Sequence, residues 1–257
     1  MKNCVKWLVP LLVIGYLLSV AGCATLGLAN PFSSGAECYQ DAKSALNQGE
    51  YALALKEAAH AINRDEKHYP SYKLIVNNYE KAMGEIETEL EQLSNAEETI
   101  KNQIRKVELY DRLNDFMIYI ESDQNPTLVS FRKKSVSIPI KDYTEQLTNA
   151  KQRGVELAMQ QGVSLLEFED FAGAEQVFDT LVDNFTTREN REEIEQRISN
   201  EFAARGEVYV AELEYDAIDG VNELISMAES YAETDRVKQL RADLNTAALD
   251  ITLGEAK

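Results

Sequence analysis

Turn-forming residues are scarce along this chain, and that scarcity is the strongest constraint on its fold. Only 12 glycines and five prolines are spread over 257 residues. An all-β protein needs a turn roughly every 8–12 residues, and this chain lacks the residues to build so many. Alanine, leucine, glutamate, glutamine and lysine are frequent instead, and all of them favour the helix. The sequence therefore predicts an all-α fold.

The chain is strongly acidic, with 26 basic against 44 acidic residues and a formal net charge of −18. Lys2 and Lys6 lie in an N-terminal segment that we expect to be removed, which leaves 24 basic residues and a net charge of −20. Such a surface repels both nucleic-acid phosphates and anionic lipid headgroups. We therefore expect no nucleic-acid partner, and any membrane attachment must use something other than basic side chains.

The N-terminus has the layout of an export signal. Two lysines precede an apolar stretch at residues 7–18, which is shorter than the roughly 20 residues of a membrane-spanning helix. The segment that follows, Val20-Ala21-Gly22-Cys23, resembles the lipobox of bacterial lipoproteins. The resemblance implies that residues 1–22 are a signal peptide, that a lipid is attached to the Cys23 thiol, and that the signal is cut before Cys23. An ordinary secretory signal with a chance cysteine and an uncleaved anchor are the alternatives.

Residues 23–36 are small and uncharged, which is typical of a flexible tether. Ala24 stands where some lipoproteins carry an aspartate that retains them in the inner membrane. The resemblance therefore implies an outer-membrane location facing the periplasm in a cell with two membranes. Two or three acyl chains are enough for stable anchoring.

Residues 38–70 carry small and apolar residues at a regular helical spacing: Ala42, Ala45, Leu46, Gly49, Tyr51, Ala54, Ala58, Ala61 and Ile62. This pattern resembles the tetratricopeptide (TPR) repeat, in which one helix ends at a glycine-containing turn and a second helix packs closely through small residues. Gly49 corresponds to the turn. The glutamate at position 66 departs from the pattern, because the family usually has a proline there.

Two further segments repeat parts of this pattern. Residues 159–183 place Gly162, Leu165, Phe171, Ala174, Phe178 and Leu181 at the same relative positions, with Glu169 in place of the turn glycine. A weaker repeat contains Gly206, Tyr209, Tyr215, Ile218 and Ile225, with Asn222 where an apolar residue is expected. The resemblance implies a right-handed α-solenoid of degenerate TPR-like helical hairpins over residues 37–257, with a long helix and a short extended segment in the middle.

An apolar seam runs between the first and second repeats, through Tyr79, Met83, Ile86, Leu90, Leu93, Ile100, Ile104 and Val107. Its alternating spacing of four and three predicts a long helix, or a helical hairpin broken near Ser94-Asn95. The seam either packs on neighbouring helices or forms a coiled coil, so oligomerisation through residues 79–107 is an open alternative.

Residues 121–142 interrupt the helical pattern. Val136, Ile138 and Ile140 alternate with polar residues and proline, as in a strand or an extended loop. Their apolar strip either pairs with a partner or packs on the helices, and we favour packing because an unpaired apolar strand promotes aggregation. The only dense basic cluster, Arg132-Lys133-Lys134, is either a solvated loop or a contact site for an acidic partner. Asp142, with Glu145 three residues later, is expected to start the next helix.

Residues with catalytic or metal-binding spacing are missing from the sequence. It contains no phosphate-binding loop, dinucleotide-binding fingerprint, zinc-protease motif or nucleophile elbow. His60 and His68 fall on either side of an expected turn before Pro70, so we predict no metal site from them. Cys38 is expected to be a small core residue. We therefore expect no enzymatic activity and no cofactor.

The expected function is binding. By analogy with envelope TPR lipoproteins, the leading hypothesis is a lipid-anchored scaffold or adaptor that binds a protein or peptide partner. The alternative is a ligand-binding carrier that resembles the TPR lipoproteins associated with TRAP transporters. An apolar tunnel would favour the carrier, and a shallow polar groove would favour the scaffold.

Overall fold

The computed structural model describes residues 34–121, 126–211 and 218–255, and these residues are mostly helical. The helices are α1 (Gly35–Asn47), α2 (Tyr51–Arg64), α3 (Tyr69–Asn95), α4 (Ile100–Tyr119), α5 (Thr144–Glu167), α6 (Phe171–Phe185), α7 (Arg191–Ala211), α8 (Ile218–Tyr231) and α9 (Asp235–Glu255). Two strands, β1 (Thr127–Phe131) and β2 (Lys134–Ile138), lie between α4 and α5. No helix within the described ranges is both long and apolar enough to cross a membrane.

The first helical pair, α1 and α2, has the predicted turn. Gly49 has a φ of +78°, a left-handed conformation that glycine adopts without the strain of a Cβ. Ala42, Ala54 and Ala58 are buried, so the two helices pack closely. Ser34 and Glu37 form a capping box. Helix α1 therefore begins at Gly35, inside the segment that was expected to belong to the tether.

The second pair, α5 and α6, packs through two glycines of α5. A Cβ on Gly162 would lie 2.3 Å from the Phe178 ring, and a Cβ on Gly154 would lie 2.3 Å from the Phe185 ring. The turn forms without glycine, as expected, because Glu169 itself takes the left-handed conformation with φ +64°. Asp170 caps α6 through the backbone N–H of Gly173.

In the third pair, α7 and α8, the predicted alignment of Asn222 with a core position is wrong. Asn222 is exposed, and the buried residue is the preceding Val221. The buried set Val221, Leu224, Ile225 and Ala228 repeats the spacing of Phe178, Leu181, Val182 and Phe185 on α6. The buried pattern of α8 therefore begins 15 residues after Gly206, whereas that of α6 begins 16 residues after Gly162, and Asn222 does not occupy a core position. Tyr215 lies outside the described residues. Gly206 faces Leu240 of α9, which packs on this pair.

The apolar seam between the first two pairs runs over two helices. This confirms the predicted helical hairpin broken near Ser94-Asn95 rather than one long helix. Helix α3 ends at Asn95 and α4 begins at Ile100 with Thr99 as its cap. The seam residues pack inside the chain, those of α3 in a first core with α1 and α2 and those near the start of α4 in a second core with α5–α9. Helix α4 joins the cores, because its Leu109, Leu113 and Phe116 lie in the first.

Residues 127–138 form an antiparallel hairpin rather than an unpaired strand, so the described fold is helical with one small sheet. Val129 pairs with Val136, and Thr127 pairs with Ile138. Val129, Val136 and Ile138 are buried against the first core, which confirms that the apolar strip packs on the helices. The expected helix start at Asp142 is wrong by one residue. Tyr143 is the N-cap of α5, although the Asp142 carboxylate still accepts a hydrogen bond from the Thr144 N–H.

Candidate functional site

Two adjoining depressions open on the surface of α5 and share Gln160 and Ser164. The first, of about 450 Å³, lies between α5 and α7, and the second, of about 370 Å³, lies between α5 and the start of α4. We call their combined surface the α5 groove. It is lined by Glu98, Thr99, Ile100, Leu157, Met159, Gln160, Gln161, Val163, Ser164, Glu167, Arg197 and Glu201.

The helical spacing of α5 explains which side chains face the groove. Leu157, Gln160 and Ser164 follow one another at intervals of three and four, which places them on one face of the helix. Ala158, Gly162 and Leu166 are buried in the second core. The close packing of α5 on α6 therefore fixes the orientation of the groove face.

Several polar groups in the groove have no partner within the described parts of the chain. The side-chain amides of Gln160 and Gln161, the hydroxyl of Ser164 and the guanidinium of Arg197 make no hydrogen bond there. A glutamine amide offers both donors and an acceptor. The groove therefore presents groups that can bond to the backbone of another chain.

The charges of the groove are mainly negative. Three carboxylates, those of Glu98, Glu167 and Glu201, face one guanidinium, that of Arg197. Glu98 is already paired with Arg153, whose Nε lies 3.0 Å from Oε2, and this hydrogen bond lowers the pKa of Glu98. The carboxylates of Glu167 and Glu201 are left for a basic or hydrogen-bonding group.

A second polar feature lies between α1 and α2, and we call Cys38, Glu57 and His60 the α1–α2 polar cluster. The Sγ atom of Cys38 lies 3.5 Å from Nδ1 of His60, and Oε2 of Glu57 lies 3.6 Å from the same nitrogen. The side chains of His60 and Glu57 are 3% and 15% exposed. Burial raises the pKa of Glu57, against the opposing effects of Lys56 and His60.

Further contacts hold the His60 ring. Arg64 Nε donates to His60 Nε2 at 3.1 Å, and the Tyr119 ring stacks on the imidazole at 4.7 Å between centroids. Because Nε2 accepts this bond, the neutral ring has its proton on Nδ1. The buried Lys56 next to the cluster is neutralised by Asp115, whose Oδ2 lies 2.7 Å from Nζ.

The α1–α2 polar cluster does not have the arrangement of a catalytic triad. In such a triad the base bonds the nucleophile through one ring nitrogen and an orienting carboxylate through the other, whereas Cys38 and Glu57 both approach Nδ1. Cys38 is also only 1% exposed, which keeps a substrate away from its sulfur. The donor types, a thiol, an imidazole and a carboxylate, are instead those that bind transition metals.

The residues predicted from sequence lie elsewhere. Arg132, Lys133 and Lys134 are exposed at the tip of the β1–β2 hairpin. Lys134 Nζ donates to Asn77 Oδ1 of α3 at 2.8 Å, and the Arg132 guanidinium lies over the Phe131 ring at 5.3 Å. None of the three lines the α5 groove. Cys23 lies outside the described residues.

Sequence reasoning missed both features of the site. The groove residues are ordinary polar residues, and only their common helical face distinguishes them. The α1–α2 polar cluster had a detectable signal, because Glu57 and His60 are three positions apart on one helix and therefore share a face. Its third member, Cys38, comes from the neighbouring helix, and no pattern in the sequence indicated that it faces them.

No protein-family model matches the chain, and no curated protein sequence is significantly similar to it. The likeness to lipoproteins and to TPR repeats therefore rests on the residues given above.

Proposed function

We propose that the protein is a lipid-anchored adaptor of the cell envelope that binds an extended segment of a partner protein in the α5 groove. The observation that carries this proposal is the row of unbonded polar side chains, Gln160, Gln161 and Ser164, on one face of α5. An extended peptide exposes N–H and C=O groups that must be bonded wherever they are buried. Side chains with both donors and acceptors can bond such a backbone.

The apolar groups of the groove fit the same ligand. Ile100, Leu157 and Val163 lie among the polar residues and are partly exposed. Successive side chains of an extended peptide point in opposite directions, so one side can contact these residues while the other faces solvent. The carboxylates of Glu167 and Glu201 favour a segment that carries a basic side chain.

The membrane attachment in this proposal comes from Cys23. Lipidation at Cys23 after removal of residues 1–22 would hold the strongly acidic chain at a membrane that its own surface repels. In the proposed arrangement the protein faces the periplasm from the outer membrane, and the helical pairs wind as a right-handed TPR-like solenoid. No catalytic activity and no nucleic-acid partner are part of the proposal.

The form of the groove favours an adaptor over a small-molecule carrier. Small-molecule sites bury most of the ligand in a concave, mainly apolar pocket. Both depressions on α5 are open to solvent and are lined by carboxylates and amides as well as apolar groups. An extended chain can lie along such a surface, whereas a small ligand would stay largely exposed.

The proposal is tested by crosslinking and pull-down of the anchored protein from intact cells. The double substitution Gln160→Ala and Gln161→Ala removes two bonding groups from the groove and should reduce partner yield several-fold. Gln176→Ala is the matched control, because Gln176 is also exposed but lies on α6. Equal partner yield from all three proteins would contradict binding in the groove. Recovery of a small molecule without a protein would favour the carrier.

A further inference from the structure

We propose that Cys38, Glu57 and His60 form a zinc-binding site that ties α1 to α2. The Sγ, Nδ1 and carboxylate oxygen atoms of these residues all lie within 4.8 Å of one another. The site is independent of the α5 groove, because its residues lie on α1 and α2 and none of them lines that groove.

The spacing of the donor atoms fits one tetrahedral ion. Zinc binds a thiolate at about 2.3 Å and an imidazole nitrogen or carboxylate oxygen at about 2.0–2.1 Å. At the tetrahedral angle these bond lengths separate sulfur and nitrogen by about 3.5 Å, and nitrogen and oxygen by about 3.3 Å. The separations in the protein are 3.5 Å from Cys38 Sγ to His60 Nδ1 and 3.6 Å from Glu57 Oε2 to the same nitrogen. The third separation, from Cys38 Sγ to the Glu57 carboxylate oxygen, is at most 4.8 Å and must shorten to about 3.5 Å, so the more exposed Glu57 side chain moves to complete the site.

The donor types select the ion. Calcium and magnesium bind oxygen ligands and would leave the sulfur and the imidazole unused. A set of one thiolate, one imidazole and one carboxylate suits zinc, which accepts all three. Three protein ligands leave a fourth tetrahedral position for water. Glu57, with a side chain 15% exposed, is the most accessible of the three ligands and marks the route by which the ion enters.

Proton transfer accompanies binding. The Cys38 thiol loses its proton to solvent and coordinates as the thiolate, and Glu57 coordinates as the carboxylate. The His60 proton moves from Nδ1 to Nε2, so that Nδ1 coordinates through its lone pair. In the metal-free protein Arg64 donates a hydrogen bond to Nε2. Once Nε2 carries the proton it can no longer accept that bond, so the Arg64 guanidinium must turn away. Arg64 is exposed, so its guanidinium can move into solvent.

The test uses the full chain purified in detergent. The chain has three cysteines, Cys4, Cys23 and Cys38, so Cys4→Ser and Cys23→Ser in every sample leave Cys38 as the only thiol. Zinc is titrated in competition with a chromogenic chelator, and cobalt is used as a spectroscopic probe. The proposal predicts one zinc per chain, a higher Tm with zinc, and a thiolate-to-cobalt charge-transfer band. Cys38→Ser and His60→Gln should abolish the band and the tight binding.

Two further variants keep the test decisive. Glu57→Gln changes the most accessible ligand and should weaken zinc binding at least about tenfold, since even residues outside the coordination shell commonly contribute that much. His68→Gln is the matched control, because His68 bonds Ser71 outside the cluster and should bind zinc like the parent. Failure of the parent to compete with the chelator would overturn the proposal. The proposal would also be overturned if Glu57→Gln bound zinc as tightly as the parent and the parent showed no charge-transfer band. This outcome can be read even if Cys38→Ser does not fold.

Discussion

At the scale of single residues, small side chains decide how closely the first two helices approach. Ala42, Ala54 and Ala58 are almost completely buried where α1 and α2 pack together. A larger side chain at any of these positions must displace a helix or adopt a strained rotamer. The spacing of these alanines was visible in the sequence, and their burial follows from it because i, i+4 positions share one helix face.

Ala54→Leu should therefore destabilise the protein by about 1–3 kcal/mol, because the added carbons overpack this contact. Thermal or denaturant unfolding of the full chain measures the change. Ala36→Leu serves as the control, because Ala36 lies on α1 but is exposed, and its free energy of unfolding should change by less than about 0.5 kcal/mol. An equal effect in the two variants would mean that Ala54 is not in the helix contact.

Glu50 ties the turn between α1 and α2 to α4. Its Oε2 accepts from Arg112 Nη1 at 2.7 Å and from Arg105 Nη1 at 3.0 Å. Burial raises the pKa of Glu50, but the hydrogen bonds and charges of the two arginines outweigh that effect and lower it. The carboxylate therefore stabilises the fold above the pKa of the unfolded chain, and that stabilisation is lost as the pH falls through the lowered pKa.

Glu50→Gln should accordingly lower the free energy of unfolding at neutral pH, and its difference from wild type should shrink as the pH falls below about 4.5, the ordinary glutamate value. Denaturant unfolding at a series of pH values measures this. The exposed Glu91, which has no ion pair within the described ranges, gives the control Glu91→Gln. A Glu50→Gln effect that stays constant with pH would show that its charge is not responsible.

At the scale of elements, two glycines let α5 pack against aromatic rings of α6. Gly154 faces Phe185 and Gly162 faces Phe178, and both rings are fully buried. Glycine is otherwise unfavourable inside a helix. The contact with a ring therefore explains why these positions lack a side chain, and the same packing turns the groove face of α5 outward.

Gly162→Ala should destabilise the protein even though alanine favours the helix, because the new Cβ would lie 2.3 Å from the Phe178 ring. The expected loss is about 1–3 kcal/mol. Gly84→Ala is a sharp control: nothing lies within 4 Å of its Cβ, so it should stabilise α3 by about 0.5–1 kcal/mol. Changes of the same sign in the two variants, measured by unfolding, would contradict the packing of α5 on α6.

Some helices and strands could be predicted from the sequence and others could not. The break at Asn95 and the turn at Gly49 were predictable, because helix seams and turn residues are local signals. The strand β2 was predictable from Val136 and Ile138, but its partner β1 was not, since Leu128 points to solvent and weakens the alternation. The third pair was misaligned by one residue because Asn222 was placed by counting the Gly162–Phe178 spacing from Gly206, whereas the buried residue on α8 is Val221.

At the scale of the whole molecule, α4 connects the two cores. Its Leu113 and Phe116 belong to the core of α1–α3, and its Val107 belongs to the core of α5–α9. The groove lies on the second core and the α1–α2 polar cluster lies on the first. The groove could not be predicted from sequence, and only the shared helix face of Glu57 and His60 could be, because both features depend on side chains from different helices meeting after folding.

The proposed lipid anchor is tested at this scale. Cys23→Ser should abolish incorporation of labelled fatty acid and leave the protein uncleaved or released from the membrane, because Cys23 is the cysteine that directly follows the lipobox-like Val20-Ala21-Gly22. The matched control is Cys38→Ser, since Cys38 is a buried cysteine of the helical domain and should leave labelling unchanged. Normal labelling of the Cys23→Ser protein would refute the lipoprotein assignment.

The central claim is that a partner chain lies in the α5 groove, and position-specific photocrosslinking in intact cells tests it most directly. A photoreactive amino acid at position 160 should give a discrete protein adduct, and mass spectrometry should locate the crosslink in one short segment of the partner. The same probe at position 176 on α6 should not give that adduct. No adduct at position 160, or the same adduct at both positions, would contradict the account.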